Sequence, residues 1–190
     1  MDPIVDLTPR AKERNNLTIK KPVRGILENI TLESLRQGVN PFAPLAIAHK
    51  ESGFGTISFK GHHPDMKTHN PMQVDFGRDV ARERRVELDY RDNVAKGDWD
   101  GALQKATIKE GVSYYKKHLD LNDGSMWHGL RNYNGAGSKA RKYAGHVSEL
   151  VDNLKENNPH VVELVDRVSK DFYESQPGVV NIKERVNPLF

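Results

Sequence analysis

The run Phe42-Ala43-Pro44-Leu45-Ala46-Ile47-Ala48 constrains this chain more than any other stretch, because it is apolar and leads into a carboxylate at Glu51. On a helix, Leu45 to Ala48 leave little of the circumference polar, which predicts a buried helix. Glu51 lies one turn after Ile47 and shares its face. Ser52-Gly53 then reads as a helix stop. The expectation is a lone acid at the C-terminal end of a core helix. Burial and the negative end of the helix dipole both disfavour its charged form, so both push its pKa up. A carboxyl kept protonated near neutral pH suits a general acid. A surface glutamate at a helix end fits the same spacing.

Around that helix the periodicity is mostly helical. Residues 1–24 are polar and carry Pro3, Pro9 and Pro22, and read as an N-terminal arm. A domain over 25–175 and a C-terminal tail over 176–190 complete the expected organisation. Ile26, Leu27, Ile30 and Leu35 predict a helix, with Thr31 as a cap. Gly53 to Pro71 is rich in glycine, histidine and proline and reads as a long loop or small irregular β region. Arg78 to Ala95 predicts a mostly exposed helix anchored by Val80, Val86, Leu88 and Val94. Ile108, Val112, Tyr115 and Leu119 form one apolar stripe, and Gly111 inside it points to close packing. Ser125 is placed to cap a short helix over Met126 to Tyr133, which Asn134-Gly135-Ala136-Gly137 stops. Ala140, Ala144, Val147, Val151 and Leu154 make a further stripe, and Val161, Val165, Val168 and Phe172 a last one, entered through Asn158-Pro159.

Composition excludes some chemistries. The chain has no cysteine, which removes disulfides, thiolate metal sites and a cysteine nucleophile. Its net charge of +3 suits an anionic partner without selecting one. The first ten residues have neither a basic n-region nor an apolar h-region, so no secretory signal is expected. No run is long enough for a transmembrane helix. The Arg82-Glu83-Arg84-Arg85 cluster, with Glu87 beyond it, reads as a solvated face and not as a nucleic-acid site.

Four segments, in order, resemble a known family. Ala46-Ile47-Ala48-His49-Lys50-Glu51-Ser52-Gly53-Phe54 resembles the catalytic Glu-Ser motif of the soluble lytic transglycosylase and goose-type lysozyme family. Pro71-Met72-Gln73-Val74 is similar to its Gly-Leu-Met-Gln segment. Ile108-Lys109-Glu110-Gly111-Val112-Ser113-Tyr114-Tyr115 is similar to its Asn-Ile-x-x-Gly-x-x-Tyr-Leu helix. Leu130-Arg131-Asn132-Tyr133-Asn134-Gly135-Ala136-Gly137 resembles its Ala-Tyr-Asn-Ala-Gly segment. The likeness spans Asn40 to Val151. Asn70-Pro71 replaces Gly-Leu, Thr107 stands where the family has Asn, and His62, His63 and His69 are additions.

The resemblance implies a mainly α fold of the α+β lysozyme-like kind, with a small irregular or β region beside a cleft. It implies that Glu51 is the single acid/base cleaving the bond between N-acetylmuramic acid and N-acetylglucosamine in peptidoglycan. The same carboxylate would then close a 1,6-anhydro ring. Met72 and Gln73 would line the sugar site, Tyr133 would orient Glu51, and Asn134 would lie on the cleft floor. Ser58 matches a cleft-loop serine, and Tyr143 is placed to stack on a sugar or to pack. A hydrolase that uses Asp65 or Asp75 to hold water stays open, as does a non-catalytic wall-binding or virion module. A metal reading of His62, His63, His69 and Asp65 lacks helical ligand spacing. No cofactor and no metal is expected. The expected partner is the glycan strand, with no nucleic acid, no stable membrane insertion and a monomeric state. Synthesis in a cytoplasm without a signal, and action on the cell wall, suit a bacteriophage lysis or virion enzyme.

Overall fold

The computed structural model describes residues 21–55, 69–75, 79–98 and 101–176. Seven helices are found among them: α1 (Lys21–Arg36), α2 (Phe42–Ser52), α3 (Val80–Ala95), α4 (Ala102–Asp120), α5 (Met126–Tyr133), α6 (Gly137–Asn157) and α7 (Pro159–Glu174). The architecture is mainly α, with no strand among the described residues. None of these helices is long and apolar enough to cross a membrane.

Helix α2 occupies the centre. Every residue from Phe42 to His49 is buried, with Leu45, Ala46, Ile47 and Ala48 completely so. Burying each large side chain contributes roughly 1.5–3 kcal/mol, and this all-round burial is possible because α1, α4 and α6 all touch α2. Asn40 opens the helix by accepting the Phe42 N–H on its side-chain oxygen at 3.0 Å. Gly53 closes it in the left-handed region at φ 53°, and its N–H reaches the His49 carbonyl at 2.8 Å. The sequence expectation of a core helix ending at Ser52-Gly53 matches these limits.

The remaining helices wrap this centre. The α4 stripe faces inward through Ile108, Val112 and Tyr115, and α6 buries Ala140, Ala144, Val147, Val151 and Leu154 on one side. Helix α7 packs on α1 and α6 through Val161, Leu164 and Val165. Gly111 is where α4 meets the segment after residue 69. A Cβ there would stand 2.7 Å from Met72 Sδ and 3.0 Å from Met72 Cβ, so the missing side chain is what allows the approach.

Four local expectations are corrected. Helix α1 starts at Lys21, inside the expected arm, with Pro22 in the first turn where its missing N–H costs nothing. Thr31 is no cap: it sits fully buried in the middle of α1. Ser125 and Asn158 occupy N-cap positions without capping bonds; Ser125 Oγ pairs with His128 Nδ1 at 2.8 Å, and the Asn158 amide donates to the Asn153 carbonyl. On α3, Val80 and Leu88 are 80% and 56% exposed, so they are not anchors.

Val86 is buried as expected, and a charge cluster adds to what holds α3. Glu110 of α4 is buried and accepts two hydrogen bonds from Arg85, from Nε at 3.0 Å and Nη2 at 2.6 Å. Arg82 Nε adds an ion pair to the same carboxylate at 3.3 Å. The two arginines therefore turn one face of α3 inward, where the sequence suggested only a solvated face. A fork-to-fork guanidinium–carboxylate pair is directional, so it can set the helix orientation where apolar contacts are few.

Candidate active site

Glu51 is the last residue but one of α2, half-buried, two residues before the glycine that reverses the chain. Ser52, its neighbour, is fully buried. The Ser52 hydroxyl donates to the Pro71 carbonyl at 2.8 Å, with the Ala48 carbonyl at 3.0 Å as the alternative acceptor. The same oxygen accepts the Gly55 N–H at 2.9 Å. One side chain thus ties the end of the Glu51 helix both to its own exit turn and to the segment that carries Met72-Gln73.

Beyond His69, which is helical, that segment (70–75) has no regular secondary structure, yet its backbone carbonyls are held almost one by one. Thr107 Oγ1 of α4 donates to the His69 carbonyl. The Asn70 carbonyl accepts the Gln73 N–H at 3.0 Å and the Gln73 side-chain amide at 2.7 Å. Pro71 is held by Ser52, and the Met72 carbonyl accepts the Tyr133 hydroxyl at 3.0 Å. The Asn70 amide donates to the Val74 carbonyl at 3.0 Å while its oxygen accepts the Val74 N–H at 3.1 Å. Arg82 Nη1 donates to the Asp75 carbonyl at 2.8 Å. Side chains of α2, α3, α4 and α5 thereby do the work that a neighbouring strand would otherwise do.

Two non-glycine residues at the site have left-handed backbones, Phe54 at φ 57° and Gln73 at φ 49°. Each such residue costs on the order of 1–2 kcal/mol. Phe54 is buried with its ring edge-on to His49 at 5.2 Å, and Gln73 closes its turn through the two bonds to Asn70. Phe54 lies three residues after the acid, and Gln73 is the second member of the Met-Gln pair.

A ladder of aromatic rings forms the other wall. Tyr114 meets Tyr133 at 5.2 Å, and Tyr133 stacks on Tyr143 at 6.5 Å with the planes 15° apart. Burial pushes the Tyr143 phenol far above its usual range, and the negative charge of Glu51 beside it adds to the shift. Tyr133 is pushed up for the same two reasons in the same order. Both phenols therefore remain protonated, close enough to Glu51 to feel its charge. The Tyr143 hydroxyl reaches Glu51 through charge and proximity and not through a well-aligned hydrogen bond.

The structure thus brings Glu51, Met72, Tyr133 and Tyr143 together, but with roles redistributed. The Tyr133 hydroxyl is committed to the Met72 carbonyl, so its bond to the chain goes to the segment and not to the acid. Tyr143 is buried beneath Tyr133 and is no sugar-stacking platform. The Met72 side chain is fully buried under Gly111 and contributes packing, not an exposed sugar contact. Gln73 and Asn134 are exposed, Asn134 at the C-terminus of α5. Ser58, His62, His63 and Asp65 lie outside the described residues; His69 is exposed, and Asp75 is exposed with its carbonyl held by Arg82. Sequence reasoning missed Ser52, Asn70 and Thr107 as the residues that fix the site's backbone. The signal for Asn70 was its place before a proline, where a short side chain that bonds backbone favours a turn.

Comparison with protein-family models, with curated proteins and with solved structures found no match for this chain.

Proposed function

We propose that the chain cleaves the β-1,4 bond between N-acetylmuramic acid and N-acetylglucosamine in peptidoglycan by lytic transglycosylation, on a lysozyme-like fold, with Glu51 as acid and then base. The observation that carries this reading is the convergence of the four family-like segments on Pro71-Met72, beside the end of the helix that carries Glu51. Glu51-Ser52, Pro71-Met72, the Gly111 helix and Tyr133 are far apart in the chain. They meet through the Ser52–Pro71 bond, the Tyr133–Met72 bond and the Gly111–Met72 contact.

In this reading Glu51 gives its proton to the glycosidic oxygen as the bond breaks. The 2-acetamido oxygen of the muramic unit stabilises the anomeric carbon, so no second carboxylate has to supply a nucleophile. The glutamate, now ionised, takes the proton of the C6 hydroxyl. That oxygen attacks the anomeric carbon and closes the 1,6-anhydro ring, with no water consumed. The protonated phenol of Tyr143 favours the ionised glutamate left after the first step, because a donor beside a carboxylate lowers its energy. Exposed Gln73 and Asn134 offer amides to sugar hydroxyl or acetamido groups. Action on the wall during lysis or entry by a bacteriophage suits such an enzyme.

The test is digestion of purified peptidoglycan with mass analysis of the products. Anhydro ends, one water lighter than reducing ends, are expected, and Glu51→Gln should reduce their formation by a factor of at least 10³. Reducing ends would make the chain a hydrolase. Absence of cleavage by the native chain would favour a wall-binding or virion module.

A further inference from the structure

A concavity of about 660 Å³ lies between α1 and α7. Leu32 of α1 and Val168 and Phe172 of α7, all half-buried, give it apolar walls. Arg167 and Arg36 line it too, but each is already paired on α1, Arg167 with Glu28 at 2.6 Å and Arg36 with Glu33 at 3.6 Å. Asp171 is exposed and has no ion-pair partner among the described residues, so it leaves the groove a spare negative charge. Gln176, the last described residue, lines the groove as well.

Residues 177–190 lie beyond the described ones, and their sequence is not that of a plain polar tail. Val180, Ile182 and Val186 alternate with Asn181, Lys183 and Arg185, and Glu184 alone interrupts the apolar set. In an extended chain such alternation puts apolar groups on one side and polar groups on the other, the pattern of a segment buried on one face. No strand is found among the described residues for it to pair with, so a groove between helices is the surface that fits. Pro177-Gly178 suits a type II turn, which lets a chain leaving Gln176 reverse toward the groove. From Arg167 to Glu174 the helix rises about 10 Å, which roughly three residues of extended chain cover, the length of Val180-Asn181-Ile182. Lys183 and Arg185 then supply the cations that Asp171 lacks.

We propose that the α1–α7 groove seats the chain's own C-terminal segment, with Val180 and Ile182 against Leu32, Val168 and Phe172, and with Lys183 beside Asp171. The seat is intramolecular. Tethering at Gln176 gives an effective concentration on the order of millimolar, so a contact too weak for a free peptide suffices. Once seated, the segment straps the end of α7 onto α1, where Ser175 and Gln176 are otherwise exposed. The inference goes beyond the Glu51 chemistry and does not depend on it.

The chain has no cysteine, so a single nitroxide can be attached at a chosen position. Asn181→Cys, spin-labelled in the full isotope-labelled chain, should broaden the methyl signals of Leu32 and Val168 and leave those of Leu130 and Val86 sharp. Adding Ile182→Asp should abolish the broadening, because a carboxylate cannot replace the apolar contact. Asp171→Lys should weaken it about twofold, the scale of an exposed ion pair. Amide exchange at Phe172 and Ser175 should rise about tenfold in Ile182→Asp while that at Ile47 stays unchanged. Sharp Leu32 and Val168 signals in the spin-labelled chain, or exchange at Phe172 that ignores Ile182→Asp, would overturn the proposal. So would broadening that needs spin-labelled and isotope-labelled chains to be mixed, which would put a second copy's segment in the groove. Broadening from a label at Asn15→Cys in place of Asn181→Cys would seat the N-terminal arm there and overturn it equally.

Discussion

Gly111→Ala offers a test in which two known effects have opposite signs. Alanine in a helix interior is favoured over glycine by about 1 kcal/mol, so an unconstrained site would be stabilised. Here the new Cβ would lie 2.7 Å from Met72 Sδ, 3.0 Å from Met72 Cβ and 3.2 Å from Val74 Cγ2. The sulfur can swing aside at little cost. The Met72 Cβ cannot, because it moves only with its backbone, and that backbone is held by Tyr133 at Met72 and by Ser52 at Pro71. Shifting the segment by a few tenths of an ångström belongs to the overpacking class, about 1–3 kcal/mol. The net expectation is a loss of about 1 kcal/mol, or roughly 2–4 °C in Tm for a chain of this size. Thermal and urea denaturation measure it. In a Met72→Gly background the same substitution should cost less, because the Cβ that cannot move aside is gone, giving a coupling of at least about 0.5 kcal/mol. A rise of 2–4 °C in the single variant would falsify the tight contact on which the placement of the 69–75 segment rests.

Ser52→Ala removes the donor to Pro71 and the acceptor of the Gly55 N–H in a fully buried position, and should cost about 1–3 kcal/mol in denaturant titrations; a loss below about 0.5 kcal/mol would contradict those bonds. Glu110→Gln leaves Arg82, whose side chain is 12% exposed, without its carboxylate and should destabilise by about 1–3 kcal/mol, less than a fully buried pair would because Arg85 is 54% exposed; Arg85→Gln should cost less than Glu110→Gln. Tyr143→Phe should lower kcat about tenfold with KM little changed, since it removes the donor beside Glu51, whereas Tyr133→Phe should lower stability and kcat together because its hydroxyl holds Met72; the reverse ranking would restore Tyr133 as the residue that orients the acid. In alkali, Tyr115, Tyr133 and Tyr143, half of the six tyrosines, have folded-state pKa values raised by burial, so the unfolded chain releases protons that the folded one retains. Stability is then full below pH about 10 and falls above it, by up to about 1.4 kcal/mol per pH unit for each tyrosine, and ultraviolet titration should show their ionisation arriving with unfolding and not before it.

The central helix and its stop were legible because both signals are local. A run from Phe42 to Ala48 has only one way to satisfy its surroundings, and glycine at position 53 is the residue that enters the left-handed region most cheaply. Gly111 was legible as a close contact, though not what it touches. Helix α3 is mostly exposed as expected and Val86 is buried as an anchor, but Val80 and Leu88 were misread because periodicity counts apolar residues, and α3 is also held by arginines that pair with a buried glutamate on another helix. Nothing in Arg82-Glu83-Arg84-Arg85 distinguishes the two arginines that turn inward from the one that does not; only the position of Glu110 does. The caps failed for a related reason. Ser125 and Asn158 have the right side chains at the right positions, but His128 and Asn153 compete for them.

The same limit decides what could be read at the site. A segment with almost no helix or strand must still satisfy its peptide groups, and from the helical His69 to Asp75 the donors come from Thr107, Gln73, Ser52, Tyr133, Asn70 and Arg82. Four of these six lie on α2, α3, α4 and α5, so the segment is in place only when those helices are. This couples the acid's surroundings to the whole bundle: the Glu51 helix fixes Pro71, and the α5 tyrosine fixes Met72. At Asn70-Pro71 an asparagine bonds Val74 through both its oxygen and its amide, so the turn is built from a side chain and not from backbone freedom. Asn70→Gly should therefore loosen Gln73 without unfolding the helices. Amide exchange at Val74 would rise by a factor of ten or more while that at Ile47 stays unchanged, and equal protection at Val74 in the two chains would refute the coupling.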